Sequence, residues 1–156
     1  ATELARHAAT EPSGTTPAVR DVLVGMGLAS ASDGARSSIA GAIFDVSVSK
    51  ESRLVMATDD VRRVLVRMGR DAGRDGARNR IADAIWRLSR CAEGLSVMAT
   101  DDVRDVLVLM GRAAGRDSTR KRVAEAIHSL AAVEGKPRVM ARGEVREVRC
   151  RLGGAA

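Results

Sequence analysis

Apolar residues in the middle of the chain recur at the spacing of one helix face. In the segment TDDVRRVLVRMG they occupy positions i, i+3, i+4 and i+7, namely Val61, Val64, Leu65 and Met68. This spacing is typical of an amphipathic helix with one buried stripe. Thr58 is the predicted N-cap of this helix, and Gly69 is the residue predicted to end it.

The same pattern returns every 42 residues. The segment from Thr58 has a close copy from Thr100, TDDVRDVLVLM, and related copies begin at Thr16 and Arg142. A second, longer amphipathic segment begins at predicted N-cap aspartates, which are Asp33, Asp75 and Asp117. All six methionines fall into two repeat columns, which predicts that both columns are core positions: Met26, Met68 and Met110, and Met56, Met98 and Met140.

Each repeat is predicted to contain three helices. The long helix buries an apolar triplet, either Ile39, Ile43 and Val46, or Ile81, Ile85 and Leu88, or Val123, Ile127 and Leu130. A short helix leads into the next unit, at 50–57, 92–99 and 134–141. A unit of this size and aromatic poverty cannot bury enough surface alone, so the units are expected to stack around one elongated core.

The predicted organisation follows the repeat. Residues 1–15 form a flexible N-terminal segment, residues 16–57 a first repeat without its short helix, and residues 58–99 and 100–141 two full repeats. Residues 142–156 form a partial repeat or C-terminal cap. Neither end has an obvious polar cap, and uncapped stacks of repeats expose core surface. Homo-oligomer formation through exposed ends is therefore one expectation.

The repeat resembles the armadillo repeat in the order and length of its helices. The resemblance rests on a short helix ending in VMA, a middle helix of pattern V-x-x-VLV-x-MG and a long helix with an A-x-AI-x-x-L core. It implies an all-α fold, a right-handed superhelical solenoid of about three three-helix repeats with a concave groove along the long helices. HEAT repeats, with a similar period and two helices per unit, are the alternative.

The resemblance also implies where a partner would bind. In the armadillo family an exposed Trp and Asn on the long helices commonly hold an extended peptide. The Trp position corresponds here to Gly41, Asp83 and Glu125, and the Asn position to Asp45, Arg87 and Ser129. Neither family residue is present at these positions, so the family's best-known peptide-binding mode does not carry over.

Helical spacing predicts which residues of the long helices face the groove. The stripe consists of Ser37, Gly41, Phe44 and Asp45, then Asn79, Asp83, Trp86 and Arg87, then Lys121, Glu125, His128 and Ser129. Trp86 is the first candidate for an interface hot spot, because Trp and Arg dominate interface energies. The alternative is that Phe44, Trp86 and His128 pack against neighbouring repeats.

Arginine repeats in two further columns. Arg36, Arg78 and Arg120 follow the aspartates that open the long helices, with Arg80 and Arg122 nearby. They could form a basic rim for an acidic peptide or phosphate, but pairing with neighbouring carboxylates is the favoured interpretation. The middle-helix column is predicted to form ion pairs between repeats: Arg20, Arg62, Arg104 and Arg146.

Charge and composition narrow the function. The net charge is +6, yet no run of five like charges occurs, and the groove stripe mixes both signs. Mixed charge and the scarcity of aromatics argue against nucleic acid, which stays the alternative partner. No apolar run approaches the roughly 18 residues of a membrane span, and no signal peptide opens the chain. Cys91 and Cys150 lie outside any CxxC pattern, which favours the cytoplasm or nucleus.

No catalytic, metal or cofactor site is predicted. His7 and His128 have no second His or Cys at ligand spacing, and the glycines match no nucleotide-binding fingerprint. The sequence therefore predicts a non-enzymatic scaffold or adaptor that binds a protein or peptide partner in the groove of its long helices.

Overall fold

A computed structural model describes residues 15–132, of which 81% are helical and none is in a strand. The predicted all-α class is confirmed for this part of the chain. Its eight helices are α1 (Pro17–Ala29), α2 (Asp33–Val46), α3 (Lys50–Met56), α4 (Asp59–Asp71), α5 (Asp75–Leu88), α6 (Ala92–Met98), α7 (Asp101–Ala113) and α8 (Asp117–Ala131). The predictions for residues 1–14, the short helix at 134–141, and the segment 142–156 with Arg146 and Cys150 lie outside the described residues.

The helices follow the sequence repeat. The middle helices are α1, α4 and α7, the long helices are α2, α5 and α8, and the short helices are α3 and α6. Each packs against its equivalent in the next repeat, so that α2 contacts α5, α5 contacts α8, and α4 lies between α1 and α7. One cluster of buried apolar residues therefore runs from Leu23 in α1 to Leu130 in α8.

The apolar columns predicted from the sequence form this core. All four residues of the stripe in α4 are at most 1% exposed, and Met56 and Met98 at the ends of the short helices are fully buried. Met26 is the exception in its column at 49% exposure, whereas Met68 and Met110 are buried. Met26 lies on the side of α1 that has no preceding equivalent helix within the described residues. Met140 lies outside them.

The middle helices begin as predicted. Thr58 is the N-cap of α4, where its hydroxyl accepts a hydrogen bond from the Val61 N–H at 3.3 Å. Thr16 does the same for Val19 at the start of α1. These side chains satisfy backbone donors that have no partner within the first turn of a helix.

The predicted N-caps of the long helices are wrong by one residue. Ser32, Arg74 and Arg116 hold the N-cap positions, and each aspartate is the first residue of its helix. The reason is that two of these carboxylates bond to the next repeat instead of to their own helix. Gly73 donates its N–H to both oxygens of Asp33, each at 3.1 Å. Gly115 donates in the same way to Asp75, at 3.2 and 3.0 Å.

We call these pairs, Asp33 with Gly73 and Asp75 with Gly115, the Asp–Gly contacts. Desolvation by itself raises the pKa of Asp75, but the hydrogen bonds from Gly115, Arg116 and Arg78 outweigh it and hold that pKa below the ordinary aspartate value. The pKa of Asp33 is lowered by the equivalent donors. Because the folded-state pKa is lower, this stabilisation is complete above the ordinary aspartate pKa and is lost as the pH falls through the folded-state value.

The Asp–Gly contacts can be tested on matched aspartates. We expect Asp75→Ala to lower the free energy of unfolding by about 1.5 kcal/mol at neutral pH, because it removes charge-assisted hydrogen bonds from a largely shielded site. Asp117→Ala is the control: Asp117 occupies the same column with its side chain 94% exposed, and little change is expected. Urea unfolding at neutral and acidic pH measures both, and Asp75→Ala must also weaken the loss of stability in acid. Equal effects of the two variants would contradict the contact.

The prediction that glycine ends the middle helix is also wrong. Gly69 lies inside α4, which continues to Asp71, and Gly27 lies inside α1 in the same way. A Cβ atom on Gly69 would lie 2.5 Å from Cγ2 of Val106, and one on Gly27 would lie 2.3 Å from Cγ1 of Val64. These glycines therefore allow a valine of the next middle helix to approach the helix backbone.

Candidate partner-binding face

The stripe predicted from the sequence lies on three long helices that pack side by side. We call it the long-helix face, and it consists of Ser37, Gly41, Phe44 and Asp45 in α2, Asn79, Asp83, Trp86 and Arg87 in α5, and Lys121, Glu125, His128 and Ser129 in α8. Side chains from neighbouring helices meet along it, because Arg87 reaches Phe44 and Arg122 reaches Asp83. The structure thus brings the three sets together.

The residues of the face differ in exposure. Asp45, Lys121 and His128 are exposed, Asp83 is buried, and the others are partly buried: Ser37, Gly41, Phe44, Asn79, Trp86, Arg87, Glu125 and Ser129. The side-chain oxygen of Asn79 is buried without a hydrogen-bond donor. The exposed charges therefore lie mainly on α8 and at the end of α2.

Phe44 and Arg87 form a contact between the first two long helices. The guanidinium carbon of Arg87 lies 3.5 Å from the centroid of the Phe44 ring, and its Nη1 donates to the Phe44 carbonyl at 3.0 Å. Phe44 also packs against the core cluster. This part of the face is used for contact between repeats, as the packing alternative for Phe44 expected.

Trp86 occupies the position equivalent to Phe44 one repeat further on. It is partly buried against the core, and the Arg90 guanidinium lies 5.1 Å from the centroid of its ring. Cation–π contact at this distance is weak at an exposed site. Trp86 thus has a supported inner edge and an outer surface that is still accessible, which is the arrangement that a partner-binding anchor needs.

Asp83 forms the charged contact between α5 and α8. Its Oδ1 lies 3.1 Å from Nε of Arg122, whose Nη1 donates to Glu125 Oε2 at 3.1 Å. Desolvation raises the pKa of Asp83, and the positive charges of Arg122 and Arg80 offset that only in part. Arg122 thus neutralises two of the three acidic residues on the face. The sequence named Arg122 only as a neighbour of another arginine column.

The first-turn arginines contact carboxylates of their own helices. Arg36 bonds to Asp33 at 2.9 Å, Arg78 to Asp75 at 2.9 Å and Arg120 to Asp117 at 2.6 Å. Arg78 also donates to the Ala72 carbonyl at 3.2 Å. The favoured interpretation of this column, pairing with neighbouring carboxylates, is confirmed.

The arginines of the middle helices have three different arrangements. Arg62 bridges two repeats, with its Nε 3.4 Å from Asp102 Oδ2 in α7, as predicted. Arg20 donates to the Val55 carbonyl at 3.2 Å, and Arg104 pairs with acidic residues of its own helix. The ion pair between repeats is therefore confirmed for Arg62 and does not extend to the rest of the described column.

Residues 15–132 contain no group of three or more His, Cys, Asp or Glu side chains that could hold a metal ion. Within the same residues, no helix reaches the length and hydropathy that a bilayer crossing requires. Comparison with models of known protein families, with characterised proteins and with solved structures gives no match to this chain.

Proposed function

We propose that the chain is an armadillo-like solenoid that acts as a non-enzymatic scaffold and binds a protein or peptide on its long-helix face. The observation that carries this proposal is the side-by-side packing of α2, α5 and α8. It places positions 42 residues apart in adjacent rows, and the residues in those rows differ between repeats: Gly41, Asp83 and Glu125, and Phe44, Trp86 and His128. Helical repeat arrays use such extended surfaces to bind partners.

The exposed residues of the face define the contacts available to a partner. Trp86 offers partly exposed aromatic surface, and Lys121 and Asp45 offer charges of opposite sign. Since the Trp and Asn positions of the armadillo family hold other residues, a partner would be held by these side chains. Arg87 is a poor choice for a binding test, because it is already engaged with Phe44.

The test starts from peptides selected on the intact chain from a random-sequence display library. We expect the double substitution Trp86→Ala, Lys121→Ala to weaken binding of the selected peptides at least about tenfold, as the loss of an aromatic anchor does at other interfaces. Isothermal titration calorimetry measures the dissociation constants. The control, Arg63→Ala, Arg67→Ala, removes two exposed side chains of α4 and should leave affinity unchanged. A selection that yields no peptides, or equal losses in both variants, would contradict the proposal.

Nucleic acid is the second candidate partner, and the balance of exposed charge favours it. Arg80, Arg90, Lys121 and Arg122 are exposed on or beside the face, whereas Asp45 is its single exposed acidic residue within the described residues. A phosphate backbone bound there would make affinity fall steeply with salt. Retention on immobilised oligonucleotide at physiological salt, lost in Lys121→Ala, would replace the peptide proposal. We place the protein in the cytoplasm or nucleus, where thiols such as that of Cys91 stay reduced.

A further inference from the structure

The exposed side of α1 lacks the charges that the next middle helix carries. In α4 the outward positions are Asp60, Arg67, Arg70 and Asp71, and the equivalent positions of α1 are Ala18, Gly25, Leu28 and Ala29. All eight residues are exposed. A charged outer side keeps α4 solvated, so its replacement by uncharged residues in α1 is unexpected for a helix that faces water.

A second set of apolar residues extends this surface. Val22 is 60% exposed and Met26 49% exposed, although their equivalents in α4 and α7 are buried. Val19 is exposed at the same edge. Together with the uncharged outer positions they form the α1 face: Ala18, Val19, Val22, Gly25, Met26, Leu28 and Ala29. The only charged side chain among them is that of Asp21, which already pairs with Arg20.

We propose that the α1 face binds the α1 face of a second copy of this chain in a two-fold symmetric, antiparallel helix pair. Val22 and Gly25 lie about one helical turn apart on the same face, so a two-fold axis between them brings each Val22 onto the Gly25 of the other copy. No heavy atom lies within 4 Å of a Cβ placed on Gly25, so the space is open. The chain packs two of its own helix pairs by valine on glycine, Val64 on Gly27 and Val106 on Gly69.

Symmetry favours a second copy in this orientation over a head-to-tail stack. A two-fold pair covers the α1 face of both molecules at once and then closes. A head-to-tail stack covers one α1 face at each step and leaves another exposed at its end. It would also use the edge with Val22 and leave the uncharged outer positions, Gly25 and Leu28, in water. The two-fold arrangement accounts for both sets of residues.

The size of the face sets the strength of the pair. A helix of 13 residues is about 20 Å long, and a single helix pair of that length buries less than the roughly 800 Å² per partner of a standard stable interface. We therefore expect a weak dimer whose population rises with protein concentration. This proposal does not depend on the function of the long-helix face.

Sedimentation velocity of the full chain over a roughly hundredfold concentration range tests the pair. The weight-average mass is expected to rise from one chain towards two and to stop there. Gly25→Arg introduces the residue that α4 carries at the equivalent position, where there is room for it, and should abolish the rise. Gly76→Arg is the matched control, since Gly76 also has no heavy atom within 4 Å of a placed Cβ, and it should leave the rise unchanged.

A second pair of variants tests the valine. Val22→Asp should abolish dimer formation, whereas Val48→Asp, at a valine that is 64% exposed outside α1, should not. Far-UV circular dichroism confirms that each variant is folded. A mass of one chain at every concentration would overturn the proposal, as would dimers that persist in Gly25→Arg and Val22→Asp. Mass that grows beyond two chains would show head-to-tail stacking instead.

Discussion

Replacing Gly94 with alanine is expected to lower the free energy of unfolding by about 3 kcal/mol, the largest loss that a single added methyl group should cause in this chain. A Cβ on Gly94 would lie 1.9 Å from the Leu88 carbonyl oxygen and 2.9 Å from its carbon. These are backbone atoms at the end of α5, so they cannot move aside by a change of rotamer. The methyl group must displace the joint between α5 and α6.

Gly76→Ala is the control for this prediction. Gly76 also lies in a helix, the first turn of α5, and nothing lies within 4 Å of a placed Cβ. Alanine should leave stability unchanged or raise it by about 0.5 kcal/mol, because it restricts the unfolded chain. Urea unfolding followed by circular dichroism gives both values. If Gly94→Ala proves as stable as Gly76→Ala, the described packing between α5 and α6 is wrong.

The helices could be predicted because their signals are local and repeated. The stripe of Val61, Val64, Leu65 and Met68 has helical spacing, and its copies 42 residues away agree with it. The short helices were predicted to within one residue at their ends, at 50–57 against Lys50–Met56 and at 92–99 against Ala92–Met98. Periodicity within a segment and agreement between copies were sufficient for this level of structure.

The errors arose where a residue's partner is distant in sequence. Asp33 and Asp75 were predicted to cap their own helices, but their partners are Gly73 and Gly115, each 40 residues later. Gly69 was predicted to end α4, since a glycine near the end of a helical stripe usually does. Its role depends on Val106 in α7, and no local pattern contains that information.

The candidate site was predictable in outline. Helical spacing identified the residues that share the long-helix face, because positions on one side of a helix follow from its period. It could not show that Arg87 would cover Phe44, or that Arg122 would neutralise Asp83, because both contacts join different helices. Those contacts decide which side chains are still available to a partner, and Trp86 and Lys121 are among them.

The packing of valine on glycine between repeats gives the second large effect. Gly69→Val is expected to lower the free energy of unfolding by about 3 kcal/mol, because its side chain would overlap Cγ2 of Val106. Val106→Ala should cost about 2 kcal/mol alone, since it leaves a cavity at a buried position. Equilibrium unfolding of the two single variants and the double variant completes a double-mutant cycle.

In the double variant the smaller alanine vacates the space that the new valine needs. The combined loss should therefore be about 3 kcal/mol, less than the sum of the single losses by about 2 kcal/mol, as expected for residues in direct contact. Gly25→Val is the control for a valine introduced into a middle helix, because Gly25 has open space around it and no partner valine within the chain. Combined with Val106→Ala, it should show additive losses. Additive losses for Gly69→Val and Val106→Ala would mean that α4 and α7 do not pack through this pair, and the contact that joins successive repeats would have to lie elsewhere.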